Sequence, residues 1–200
     1  MNNYSLQVKM ITNNTKKVLN CLLRNPERKN INQISRELHI SVGGAFKILK
    51  DLEGRNWINP KILGNATYYE LDFENRELIK ILELILIEEK RELKGSAAVY
   101  SKELEIFDCS LIVLFGSILH SKIFNDVDVL FVEAIPKKIS EFCLEISKVK
   151  SKPVVPFILK KGDLIKELKN RKDSVLEIFK TGIVLKGENL FIEVLKDAKK

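Results

Sequence analysis

Residues 111–132 read LIVLFGSILHSKIFNDVDVLFV, two apolar runs bracketing a short loop. The residues at the two ends of that loop are equipped for chemistry. Alternation along a strand puts Asp126 and Asp128 side by side on one face. Two carboxylates so close repel each other unless they share a cation. Mg2+ suits the pair, because it takes oxygen ligands and is usually held by one or two carboxylates together with substrate phosphates. At the other end, Gly116 lets the backbone come close to a phosphate, and backbone N–H groups with the Ser117 hydroxyl can bond its oxygens. A cation beside a phosphate cradle equips a site for in-line attack on a nucleotide phosphorus. A Gly-Ser pair alone also describes an ordinary strand-end turn, and Asp-x-Asp alone a solvated strand end. Their conjunction between two apolar strands marks the site. His120, in the loop, reads first as a surface histidine.

A second set of residues has the spacing of a binding face. A helix starting at Ser41, VGGAFKILKDLEG, turns Ser41, Gly43, Gly44, Lys47 and Lys50 outward if Val42, Ala45, Phe46, Leu49 and Leu52 face the core. Each glycine costs about 1 kcal/mol of helix stability against alanine, which points to close backbone approach by something outside. Lys47 and Lys50 stand one turn apart and can each neutralise a phosphate. Lys61 and Asn65 lie in a hairpin further on, and Arg36 and Arg55 flank the face. The face has no Arg, Asn or Gln for a bidentate base contact, so it suits phosphate contact better than base readout.

The elements around these residues follow from periodicity. Apolar Val18, Leu19, Leu22 and Leu23 predict a helix over 15–25, stopped by Pro26. Residues 32–38 predict a second, with Ile34 and Leu38 four apart. Two β-rich runs, 57–63 and 66–73, flank Gly64-Asn65, a two-residue hairpin signal. Three helices and a hairpin, in that order over residues 12–73, resemble winged helix-turn-helix regulators of archaea and bacteria. The resemblance implies that the helix from Ser41 enters the DNA major groove, with the hairpin touching neighbouring backbone. A helical scaffold that binds protein is the alternative for the same pattern.

Residues 74–94 form a long helix whose Leu78, Ile81, Leu82, Ile85 and Leu86 make a broad apolar stripe, widened by Leu84 and Ile87. It reads as a linker helix buried between domains or as a homodimer seam. Beyond it, strands at 110–115, 126–132 and 154–159 alternate with helices, and Ile183–Lys186 leads into a last helix. The fold class is α+β in two domains: a winged helix over 1–73, linker helices over 74–105, and a mixed sheet flanked by helices over 106–200.

Gly116-Ser117, Asp126-x-Asp128 and the late GIVLKGE of residues 182–188 resemble the minimal branch of the polymerase-β-type nucleotidyltransferases, over about residues 106–190. The resemblance implies that Gly116 and Ser117 hold a nucleoside triphosphate and that Asp126 and Asp128 bind catalytic Mg2+. It implies transfer of a nucleotidyl group to a protein or small-molecule acceptor, and a HEPN-type toxin as a possible partner. Three departures stand out. The loop is short, with Ile118, Leu119 and His120 in place of small and basic residues. Asn125 replaces a Ser or Thr. The family's third carboxylate is missing from KPVVPFIL, where Pro153 takes the expected place, leaving Glu133, Asp108 or Asp163 as substitutes. A transcriptional regulator whose degenerate domain binds only nucleotide or a partner is the competing reading.

Composition bounds these readings. The 200 residues carry a formal charge of +7, and residues 1–73 hold +5 of it, with 11 Lys/Arg against 6 Asp/Glu. A basic small domain favours a polyanion such as double-stranded DNA, although a solvated basic face looks the same. Cys21, Cys109 and Cys143 form no Cys-x-x-Cys, so reduced thiols in a cytoplasm are expected. MNNYSLQVKM has no leader-like apolar stretch, and residues 81–87 are too short a run to cross a bilayer, so no membrane partner is expected.

Overall fold

The computed structural model describes residues 11–25 and 27–199. Pro26, expected to stop the first helix, and the N-terminal MNNYSLQVKM lie outside the described residues. The chain divides into two compact units between Ile85 and Leu86.

The first unit contains α1 (Asn13–Arg24), α2 (Ile31–Leu38) and α3 (Val42–Gly54). Each starts on a capping side chain, which satisfies N–H groups that a helix start leaves free. Thr12 Oγ1 accepts from the Thr15 N–H at 3.2 Å, and Ser41 Oγ from the Gly44 N–H at 3.0 Å. Asn30 and Gln33 form a reciprocal capping box. His39, in the left-handed region at φ 53°, turns the chain between α2 and α3. Val18, Leu19, Leu22, Leu23 and Ile34 are buried with Ala45, Leu49 and Leu52.

Val42 and Phe46 correct the expected core of α3. They are 47% and 50% exposed. Ala45, Leu49 and Leu52 set the buried line, and at 3.6 residues per turn Val42 and Phe46 fall beside that line. The strands are β1 (Lys29–Asn30), β2 (Ile58–Leu63) and β3 (Ala66–Leu71), ordered β1-β3-β2 and antiparallel throughout. The two-residue β1 gives no sequence signal. Gly64 opens the β2–β3 turn at φ 59°, the positive value that tight hairpin turns require.

The long helix is α4 (Arg76–Arg91), starting at Asn75, whose side chain accepts from the Leu78 N–H at 3.0 Å. All five stripe residues, Leu78 to Leu86, are 4% exposed or less within the single chain.

The second unit is built on a four-stranded sheet of β4 (Leu111–Phe115), β5 (Val127–Val132), β6 (Val154–Leu159) and β7 (Ile183–Lys186). The order is β6-β5-β4-β7. β4 runs antiparallel to β5 and β7, and β5 runs parallel to β6. α5 (Gly95–Leu104) and α6 (Pro136–Val149) cover one face, where Tyr100, Leu104, Ile139 and Cys143 meet Ile112, Leu114, Val129 and Phe131. α7 (Lys161–Lys169), α8 (Asp173–Thr181) and α9 (Glu188–Ala198) follow, and α8 and α9 pack on β4, with Phe179 stacked on Phe191 at 4.6 Å. Burial on both faces explains why β4 and β5 read as nearly continuous apolar runs.

Candidate functional site

The two chemical ends of residues 111–132 meet at one corner of the sheet. Because β4 and β5 are antiparallel, Phe115 pairs with Asp128, and the Gly116 bend lies against the Asp128 side chain. Gly116 sits at φ 81°, ψ −161°, a region essentially reserved for glycine. A Cβ built there would overlap Asp128 Oδ2 and lie 3.2 Å from its Cγ. Glycine is required twice over, by the backbone and by the carboxylate. Ser117 then opens a single 3-10 turn, Ser117–Leu119, with its side chain exposed, while Ile118 anchors the turn in the core.

Asp126 is half-buried and immediately precedes β5. The strand start is fixed by the Val127 N–H donating to the Pro153 carbonyl at 2.9 Å. Burial raises the Asp128 carboxyl above its ordinary range, and the neighbouring Asp126 charge raises it further. The pair is thus close enough to repel.

The β6 residue beside Asp128 is Val155, 44% exposed, while Pro153 accepts from the Val127 N–H just before β6 begins. None of the three expected substitutes reaches the corner. Val132 pairs with both Leu111 and Leu159 at the opposite end of the sheet, so Asp108, Glu133 and Asp163 all belong to that end. Glu133 is roughly 17 Å from Asp128, at about 3.4 Å per residue. Its Oε1 is occupied by the Lys161 N–H at 2.7 Å. Among the described residues, no group of three or more His, Cys, Asp or Glu side chains is placed to hold a metal ion. His120 is exposed at the end of the 3-10 turn, its backbone N–H donating to the Ser117 carbonyl at 3.1 Å.

A cleft of about 510 Å³ opens beside the same turn, lined by Glu92, Leu93, Lys94, Ala97, Ile118 and Leu119. Sequence reasoning missed it. Its walls come from segments more than twenty residues apart, and no local motif signals such a meeting.

On α3, Ser41, Gly43, Lys47 and Lys50 are exposed and Gly44 is half-buried. A Cβ at Gly43 would meet nothing within 4 Å, so no packing inside the chain demands glycine there. Lys50 is held by Glu53 at 2.7 Å, an exposed pair whose hydrogen bond and charge raise the lysine's pKa. Among the described residues Lys47 and Lys61 form no ion pair, and Lys61 stands exposed on β2.

The model of the winged helix-turn-helix DNA-binding family matches residues 11–59, which run from just before α1 into β2. No curated protein and no solved structure matches the chain.

Proposed function

We propose that this winged helix-turn-helix protein binds double-stranded DNA through α3 and the β2–β3 hairpin. We propose further that its second unit binds a nucleoside triphosphate with Mg2+ at Gly116, Ser117, Asp126 and Asp128, as a ligand-sensing module. The single observation that carries the second part is the contact of the Gly116 bend with Asp128, with Val155 as the next neighbour on β6. The donor set fits the cation. Two half-buried carboxylates, one of them raised by the other, have charge to share and leave the remaining positions for phosphate and water. When bound, Mg2+ supplies neutralisation of the triphosphate charge.

The other roles fall to the chain itself. Gly116 keeps the space beside Asp128 free of side chain, the exposed Ser117 hydroxyl offers a hydrogen bond to a phosphate oxygen, and Ile118 holds the turn on the sheet. Titration calorimetry with ATP and Mg2+ tests this reading. Binding is expected in the wild type and not in Asp126→Ala/Asp128→Ala, and equal heats from both proteins would discard the site.

A second reading, nucleotidyl transfer to a protein or small-molecule acceptor, is favoured by the same intact pairing of bend and carboxylates. It requires the general base to come from outside this corner, and its protein acceptor, by resemblance, is a HEPN-type toxin partner. Incubation with labelled nucleoside triphosphates separates the two. Label transfer that depends on both aspartates replaces the sensor with an enzyme. Binding without transfer, joined by transfer in Val155→Asp, locates the deficiency at position 155.

A further inference from the structure

Two apolar side chains stand where a DNA-reading helix meets base edges. Val42 and Phe46 lie one turn apart in the first half of α3, on one ridge, and each exposes about half its surface. Gly43 and Lys47 run alongside them. The first residues of a recognition helix are those that reach into the major groove. That groove presents hydrogen-bonding groups at every base pair and one apolar group, the thymine C5-methyl. A ridge of valine and phenylalanine has no donor or acceptor to offer the polar groups, but it can cover the methyls. Lys47, without an ion pair among the described residues, is placed to fix the helix on the neighbouring phosphates. Gly43, with open space around its Cα, lets the helix backbone lie close to the groove floor.

We infer that Val42 and Phe46 read thymine methyl groups in the major groove and give the domain a preference for A·T-containing sites. This rests on the DNA-binding reading of α3, and the test separates the two. Full-length protein is titrated against alternating poly(dA-dT) duplex and the same duplex with deoxyuridine for thymidine, over a series of salt concentrations. The two probes share phosphates and minor groove and differ only in the C5-methyl. Each methyl covered is worth about fourfold in affinity, so the wild type is expected to favour the thymine duplex at least fourfold. Phe46→Ala is expected to bring the ratio towards one while keeping the salt slope, and Val42→Ala to lower it partway. Both side chains are already half in water, so neither change endangers the fold. Lys47→Ala is expected to weaken both duplexes equally and to flatten the salt slope. Equal wild-type affinity for the two duplexes, with salt-dependent binding intact, overturns methyl reading alone. A ratio that survives in Phe46→Ala overturns the assignment to this ridge. No salt-dependent binding to either duplex overturns DNA binding and the methyl reading together.

Discussion

Replacing Gly116 by alanine tests the geometry on which the proposed nucleotide site depends. At φ 81°, ψ −161° a residue with a Cβ is strained by about 1–3 kcal/mol. The new methyl also overlaps Asp128 Oδ2, with the Cγ only 3.2 Å away. The carboxylate has to rotate off its preferred torsion, at a further cost of about 0.5–1.5 kcal/mol. The sum is roughly 2–4 kcal/mol, which lowers the melting temperature of a domain this size by on the order of 10 °C. The second part of that cost belongs to Asp128. In Gly116→Ala/Asp128→Ala it disappears, so the double-mutant cycle should show a coupling of about 1 kcal/mol. Urea unfolding followed by circular dichroism reads the effect. Trp57, the only tryptophan, lies in the first unit, so its fluorescence serves as an internal reference for the other half of the chain. A Gly116→Ala midpoint equal to wild type, or additive single effects, would show that the bend and the acid do not touch.

Three further outcomes are expected. The Asp128 carboxyl titrates above its unfolded value, so its share of stability is present below the unfolded pKa and is lost as pH rises through the folded one. At neutral pH, therefore, Asp128→Asn should raise the melting temperature of cation-free protein and abolish stabilisation by Mg2+ with ATP; a melting temperature lowered by the change would refute the repulsion. Gly43→Ala should stabilise α3 by about 1 kcal/mol while weakening DNA binding, and a variant that gains stability without losing affinity removes Gly43 from the interface. Burial, with Glu37 beside it, pushes the Cys21 thiol up to about 12, and burial pushes Cys143 to about 11. Both should react with Ellman's reagent only after denaturation, and rapid reaction of the native protein would contradict their burial.

Much of this was legible in the sequence where one period dominates. The helices and the β2–β3 hairpin follow from apolar spacing and from Gly64-Asn65. Strand alternation predicts Asp126 and Asp128 side by side; β5 itself begins at Val127, one residue after Asp126. What local pattern cannot carry is register between distant strands. Val155 faces Asp128 because β5 and β6 pair in parallel from Val127 and Val154, and counting along KPVVPFIL does not reveal that offset. The same holds for Glu133, a strand length from its expected partners, and for the cleft by Ile118. Val42 and Phe46 were misplaced for a different reason. An apolar residue within two positions of a helix's buried line is assigned to the core by default, and only the packed structure shows which side of the line is wet.

The two features on which the proposed readings turn are both apolar side chains in polar company. Phe46 lies beside the exposed Lys47 on the face proposed to meet DNA, and Val155 lies beside Asp128 where the nucleotidyltransferase resemblance leads one to expect an acid. At the sheet corner the exchange has a definite electrostatic effect. A third carboxylate would add a ligand but also a third like charge to a pair that already repels. With valine, a single divalent cation, as proposed above, would balance the two aspartates and relieve their repulsion of a triphosphate. Asp108, Glu133 and Asp163 lie at the far end of the sheet, so none of these three is placed to take a proton from a hydroxyl attacking at this corner. On the sensing reading proposed above, a site so arranged would hold its ligand without consuming it.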